Sequence, residues 1–224
     1  MNAEVNKHRV FFALLPDDEI ASHLLALGHH VAARGGGRLM PVHNLHLTLA
    51  FMGSVTSVQM DTLIACAHTV SDAFIASVAA VDESEGEPDL HVRLNRLGFW
   101  PQGGVLWAGC RLPPCQQSQS GASLEELSSD SLAMRSALHS GALPWILAAQ
   151  LKRALLAAGL PMTLASPHFV PHVTLARGVR CPSLPRLGSP LSWAAREFVL
   201  LESIPQGMHP RYETREVFSL SPDN

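Results

Sequence analysis

Four residues of alternating character recur in this chain. His46-Leu47-Thr48-Leu49 lies within NLHLTLAFMG, and His172-Val173-Thr174-Leu175 lies within PHVTLARGV. Each is polar, apolar, polar, apolar, the period of a strand with one dry and one wet face. Residues two apart share a face. His46 therefore stands beside Thr48, and His172 beside Thr174, with Leu47, Leu49, Val173 and Leu175 turned to a core.

The other hydrophobic stretches predict elements around these two strands. RVFFALL, residues 9–15, is a buried strand stopped by Pro16. Asp17 or Asp18 caps a helix to about Arg34, with Leu24, Leu25, Leu27 and Val31 as its stripe. Gly35-Gly36-Gly37 follows a helix and precedes a strand, so it is a C-cap and loop and not a phosphate cradle. Residues 38–52 contain the first motif strand, which breaks at Gly53. A helix over 54–74 turns Val58, Leu63, Ile64 and Ala67 inward. Residues 91–100 and 105–112 form a strand pair across Pro101-Gln102-Gly103-Gly104. A helix runs from Pro144 to Ala158. After the second motif strand come strands over 192–204 and 212–220. Residues 113–141, rich in Ser and Gln, interrupt the pattern as a flexible polar insertion. Helix and antiparallel-strand signals alternate twice, which predicts an α+β fold of two similar lobes with a cleft between them.

Composition narrows the function. The chain has 224 residues, 47% of them hydrophobic, and a formal net charge of −3. It is long enough for one large domain or two small lobes. No basic tail or run of like charge provides a groove for duplex DNA. The only lysines are Lys7 and Lys152, so arginine supplies nearly all positive charge. Four scattered cysteines, none in a Cys-x-x-Cys pair, fit a reducing cytosol and argue against a structural zinc site. No stretch approaches the roughly 18 apolar residues of a membrane span, and no cleavable leader is evident. The twelve histidines show no metal-binding spacing. Trp107 and Tyr212 read as structural.

An imidazole next to a hydroxyl suits a phosphate. The hydroxyl donates to a phosphoryl oxygen, and the imidazole exchanges protons near neutral pH. A single His-x-Thr on an amphipathic strand is ordinarily a surface pair; two copies in apolar runs point to a duplicated half-domain around one anion. In phase with His172, Arg177 falls on the wrong parity for the motif face, as does Phe51 relative to His46. A bulge would be needed to bring either round.

The order of RVFFALLPDD, HLTLAFMG, RLGFWP, VLWAG and PHVTLARGV resembles the two-histidine (2H) phosphoesterases, and more closely the bacterial RNA 2′,3′-cyclic phosphodiesterases once called 2′-5′ RNA ligases. The resemblance lapses only across about 113–141. It implies a single bilobal domain of intertwined lobes with pseudo-two-fold symmetry, and a metal-independent, cofactor-free hydrolysis of a terminal 2′,3′-cyclic phosphate to a 2′-phosphate. It further implies His46 as general acid, His172 as general base, Thr48 and Thr174 on the phosphoryl oxygens, and Arg177 and Phe51 near the nucleotide. The expected partners are RNA 3′ ends or nucleotides carrying a 2′,3′-cyclic phosphate, and the expected state is a cytoplasmic monomer. The alternatives are a phosphodiesterase acting on a small cyclic nucleotide or cyclic ADP-ribose phosphate, a non-catalytic nucleotide- or RNA-binding module, and a metal phosphodiesterase.

Overall fold

A computed structural model of the chain describes residues 7–81, 87–111, 138–139, 141–160, 169–180 and 183–221. Most of the proposed 113–141 insertion lies outside them. In chain order the elements are β1 (Lys7–Leu14), α1 (Asp18–Gly35), β2 (Arg38–Leu39), a 3-10 turn (Val42–Asn44), β3 (Leu47–Thr56), α2 (Ser57–Ala79), β4 (His91–Leu94), β5 (Arg96–Trp100), β6 (Val105–Gly109), α3 (Leu143–Ala157), β7 (His172–Arg177), β8 (Leu191–Ala194), β9 (Glu197–Ile204) and β10 (Arg211–Ser219). The fold is α+β with antiparallel strand pairing.

Local chemistry sets the helix starts. Asp17 accepts a hydrogen bond from the Ile20 amide at 2.8 Å, and Asp18 and Glu19 follow in the first turn, where negative charge complements the helix dipole. Thr56 and Gln59 form a reciprocal capping box at the start of α2. Each such cap contributes about 1 kcal/mol. Gly36 ends α1 with φ 65°, a conformation that costs glycine little.

The main sheet runs β10-β9-β1-β3-β7-β6-β5, with β2 also paired to β7, while β4 and β8 form a separate pair. The two motif strands are thus neighbours at the middle of the sheet. They meet at a single pair, Leu47 opposite Val173. Antiparallel geometry then sets position 46 across from 174 and position 48 across from 172, a local two-fold arrangement centred on Leu47 and Val173. The helices lie over one face. α1 packs over β7 and α3 over β3, so each helix covers the motif strand of the other half of the chain. Phe12, Leu14, Leu47, Leu63, Phe74, Leu151, Phe198 and Phe218 are among the fully buried side chains of this core.

Several boundaries differ from the sequence expectation. β3 does not break at Gly53; that residue takes φ 74° and the strand continues to Thr56. α2 starts later than expected, which leaves Val58 in its exposed first turn at 75% exposure instead of in the core. Residues 191–204 form two strands, β8 and β9, in different sheets, and residues 91–100 are likewise divided between β4 and β5. α2 is long and apolar enough to cross a membrane, against the expectation that no stretch approaches such a span. Here it packs against α3, β3 and β10, with Met60, Leu63, Ala67, Val70 and Phe74 buried.

Candidate active site

The face of the sheet away from the helices carries the motif side chains. His46 sits immediately before β3, and His172 opens β7. The two imidazoles are anchored alike. His46 Nδ1 lies 2.8 Å from the Asn44 carbonyl oxygen, and His172 Nδ1 lies 2.8 Å from the Val170 carbonyl oxygen. A carbonyl only accepts, so each Nδ1 carries a proton and each Nε2 is left for chemistry. Asn44 does more than lend a carbonyl: its side-chain amide donates to Pro210 O at 2.8 Å, which ties the His46 turn to the start of β10.

Both strands solve the parity problem in the same way. The β1–β3 register shifts between Phe12 and Ala13, leaving Leu49 as an extra residue. The β6–β7 register shifts between Leu106 and Trp107, leaving Leu175 extra. Leu49 and Ala50 are consecutively buried, as are Leu175 and Ala176, the burial signature of a bulge. Leu49 and Leu175 occupy matching positions in the two motifs. Beyond them, Phe51 and Arg177 return to the face of the histidines. Phe51 joins a small cluster of Phe11, Ala13, Val199, Leu201 and Tyr212 on that face, with the Arg9 guanidinium 5.1 Å above its ring. Arg177 ends β7 exposed, close enough to both imidazoles to repel protons from them.

Each histidine is walled by two aromatic rings, against the expectation that Trp107 and Tyr212 are only structural. His46 packs on Phe11 at 4.8 Å and edge-to-face on Tyr212 at 5.1 Å. His172 packs edge-to-face on Trp100 at 4.6 Å and on Trp107 at 6.0 Å. Sequence reasoning passed over Phe11 and Trp100 as site residues; the signal was their place on strands flanking the motifs, which becomes visible only with the sheet order. Two glycines make room for the Trp107 indole. A Cβ at Gly98 would come within 2.0 Å of Trp107 Cζ2, and one at Gly109 within 2.7 Å of Cζ3.

Electrostatics follow from this packing. Burial dominates at His46 and pulls its pKa down to about 4; the bond to Asn44 opposes this, and His172 and Arg177 add repulsion. Burial also lowers His172, with Arg177 reinforcing the shift against the bond to Val170. That His172 influences His46 places the two rings in one electrostatic environment. Both shifts favour the neutral imidazole near pH 7. Burial raises the Tyr212 phenol above its usual range, so it stays neutral. Thr48 and Thr174 are half-buried on the same face as the histidines. Among the described residues, no group of three or more His, Cys, Asp or Glu side chains is placed to hold a metal ion.

Residues 14–107 match the family of LigT-like phosphoesterases, a span that includes the first motif. The fold aligns with a crystal structure of a phosphoesterase at TM-score 0.67 and 24% identity, over 96% of this chain and 99% of that one. The first half of the chain is thus similar to the LigT-like phosphoesterases, and the chain shares its fold with a solved phosphoesterase. Among characterised relatives it is similar to the RNA 2′,3′-cyclic phosphodiesterase of Escherichia coli strain K12, 28% identical over 106 residues. That alignment spans 47% of this chain and about half, 52%, of the relative. The fold also matches Escherichia coli LigT in its complex with 3′-AMP, at TM-score 0.64 and 24% identity, covering 96% of this chain and 98% of that one.

Proposed function

We propose that the chain hydrolyses 2′,3′-cyclic phosphodiesters, on RNA 3′ ends or nucleotides, to 2′-phosphates, without a metal. The observation that carries this is the matched anchoring of His46 and His172 on adjacent strands, each with Nδ1 committed to a carbonyl and Nε2 left over. In the proposed step His172 Nε2 removes a proton from water as the water oxygen bonds to phosphorus. The bond from phosphorus to the 3′ oxygen breaks, and His46 Nε2–H delivers a proton to that oxygen. A 2′-phosphate and a 3′-hydroxyl result, and a proton passes from His172 back to His46 through solvent. The negative phosphate favours protonation of the half-buried His46 against the desolvation that lowers its pKa. Thr48 and Thr174 donate to the non-bridging oxygens, and Arg177 balances their charge. Phe51 offers an apolar surface to the nucleoside. The similarity to a relative named as an RNA 2′,3′-cyclic phosphodiesterase supports the substrate class.

The test is hydrolysis of a 2′,3′-cyclic mononucleotide in the presence of EDTA, with the product position established by phosphorus NMR. The expected product is the 2′-phosphate. His46→Ala and His172→Ala should each lower kcat by ~10²–10⁴-fold, the usual contribution of a placed acid or base. Retention of full activity by both variants, or its loss on chelation in the wild type, would overturn the proposal.

A further inference from the structure

The face that carries the histidines continues beyond β7. Gly109 pairs with His172, and Arg96 pairs with Gly109 in the next strand. Arg96, Gly98 and Trp100 therefore extend the same face across β5, about two strand spacings, or ~10 Å, from His172. At this edge is a pocket of about 520 Å³ whose lining includes Asn95, Arg96, Arg111, Leu184 and Arg186, with no carboxylate among the described residues. The Arg96 guanidinium lies 5.2 Å over the Trp107 ring, and its Nε is buried without a hydrogen-bond partner. Among the described residues, no acidic side chain pairs with Arg96, Arg111 or Arg186. Burial and the neighbouring Arg111 both press against the Arg96 charge. Asn95 holds the arrangement in place, its side-chain oxygen accepting from the Arg111 amide at 2.9 Å.

Three guanidinium groups gathered with no acidic partner among the described residues, in a chain of net charge −3, form a local positive patch that attracts an anion. Guanidinium forks match phosphate oxygens. Between this cluster and the histidines stand Trp100 and Trp107, their rings tilted at 38° with centroids 5.1 Å apart; Trp107 is buried, and the half-buried Trp100 is the ring placed to meet an unpaired base. We infer that the Arg96, Arg111 and Arg186 pocket is a backbone-phosphate subsite for single-stranded RNA, engaging a phosphate within the first few nucleotides of the reacting end. This rests on the proposed function for the scissile end, and it assigns the chain to polymer ends in preference to free cyclic nucleotides.

The experiment compares a 2′,3′-cyclic mononucleotide with a pentanucleotide ending in the same cyclic phosphate. Arg111→Ala and Arg186→Ala are the variants, since neither residue stacks on Trp107. Each should reduce kcat/KM for the pentanucleotide roughly tenfold and leave the mononucleotide within about twofold, as expected when one remote guanidinium is removed. The dependence of log kcat/KM on log salt for the pentanucleotide should also flatten by about 0.7 for each phosphate no longer engaged. Equal decreases on both substrates, or no decrease on either, would overturn the inference. If the wild type turns over neither substrate, the proposed reaction fails on its own terms. Fluorescence anisotropy of a labelled, 3′-phosphorylated pentanucleotide then decides the pocket: binding weakened roughly tenfold in the variants upholds it, and unchanged binding removes it.

Discussion

Replacing Gly98 by alanine adds one methyl group against the indole that walls His172. The new Cβ would lie 2.0 Å from Trp107 Cζ2 and 2.3 Å from Cε2 and Cη2, distances at which something must move. The obstacle is a rigid ring with only 7% exposure, boxed by Gly109 behind it and Arg96 above it. Overpacking of this kind costs about 1–3 kcal/mol. In a chain of this length each kcal/mol lowers Tm by about 2–4 °C, so thermal denaturation should show a loss of roughly 2–12 °C. The easiest displacement carries the indole toward Trp100 and His172, which it already meets at 5.1 and 6.0 Å. Misplacing a reacting group by about 1 Å can cost ~10²-fold, so kcat should fall by about tenfold to a hundredfold with KM changed less. Trp107→Phe removes much of the obstructing ring. The double variant should lose less stability than the two single variants summed, by about 0.5–3 kcal/mol. Additive losses, or a Gly98→Ala protein with wild-type Tm and kcat, would show that the indole does not support His172.

Two further outcomes follow from the charges. Catalysis needs one protonated and one neutral histidine, and in the free protein His46 sits at about 4 while His172 is held below its usual 6.5. The bell of kcat/KM against pH should therefore peak below 6.5, and Arg177→Gln should move both limbs upward because its charge depresses both rings; an alkaline optimum, or an unmoved profile, contradicts the electrostatics. Glu202 bonds to His8 at 2.9 Å and to Arg215 at 2.5 Å. Its burial raises the carboxyl pKa, but these two partners outweigh that and hold it below the ordinary 4.5. A depressed carboxylate contributes stability above its unfolded value and loses it as pH falls through the folded one. Glu202→Gln should cost about 1–3 kcal/mol at pH 7 by denaturant titration, with the gap to wild type closing as pH falls below the ordinary 4.5; a gap independent of pH would refute this.

The alternation at residues 46–49 and 172–175 reveals the motif face directly, because strand periodicity is a local property. Helix starts were legible for the same reason at Asp17 and Pro144. What the residues did not show was anything fixed by the sheet order. Tyr212 and Trp107 read as structural because their partners, His46 and His172, are remote in sequence and meet them only through β1, β9 and β6. The bulges at Leu49 and Leu175 were identified only as a requirement for Phe51 and Arg177; extra residues in a strand leave no mark on composition, and their pairing partners had to be known. Val58 was misplaced because the Thr56–Gln59 capping box, which starts α2 after it was expected, competes with an apolar period that begins sooner. The arginine pocket joins Arg96 and Arg111 to Arg186 across some seventy-five positions, and no spacing rule connects them.

By this mechanism His46 and His172 act on one phosphorus atom. A crystal structure grown with inorganic phosphate tests it most directly. One anion should be found within hydrogen-bonding distance of both Nε2 atoms and of the Thr48 and Thr174 hydroxyls. An anion contacting only one imidazole, or bound elsewhere while the two rings remain apart, would contradict it.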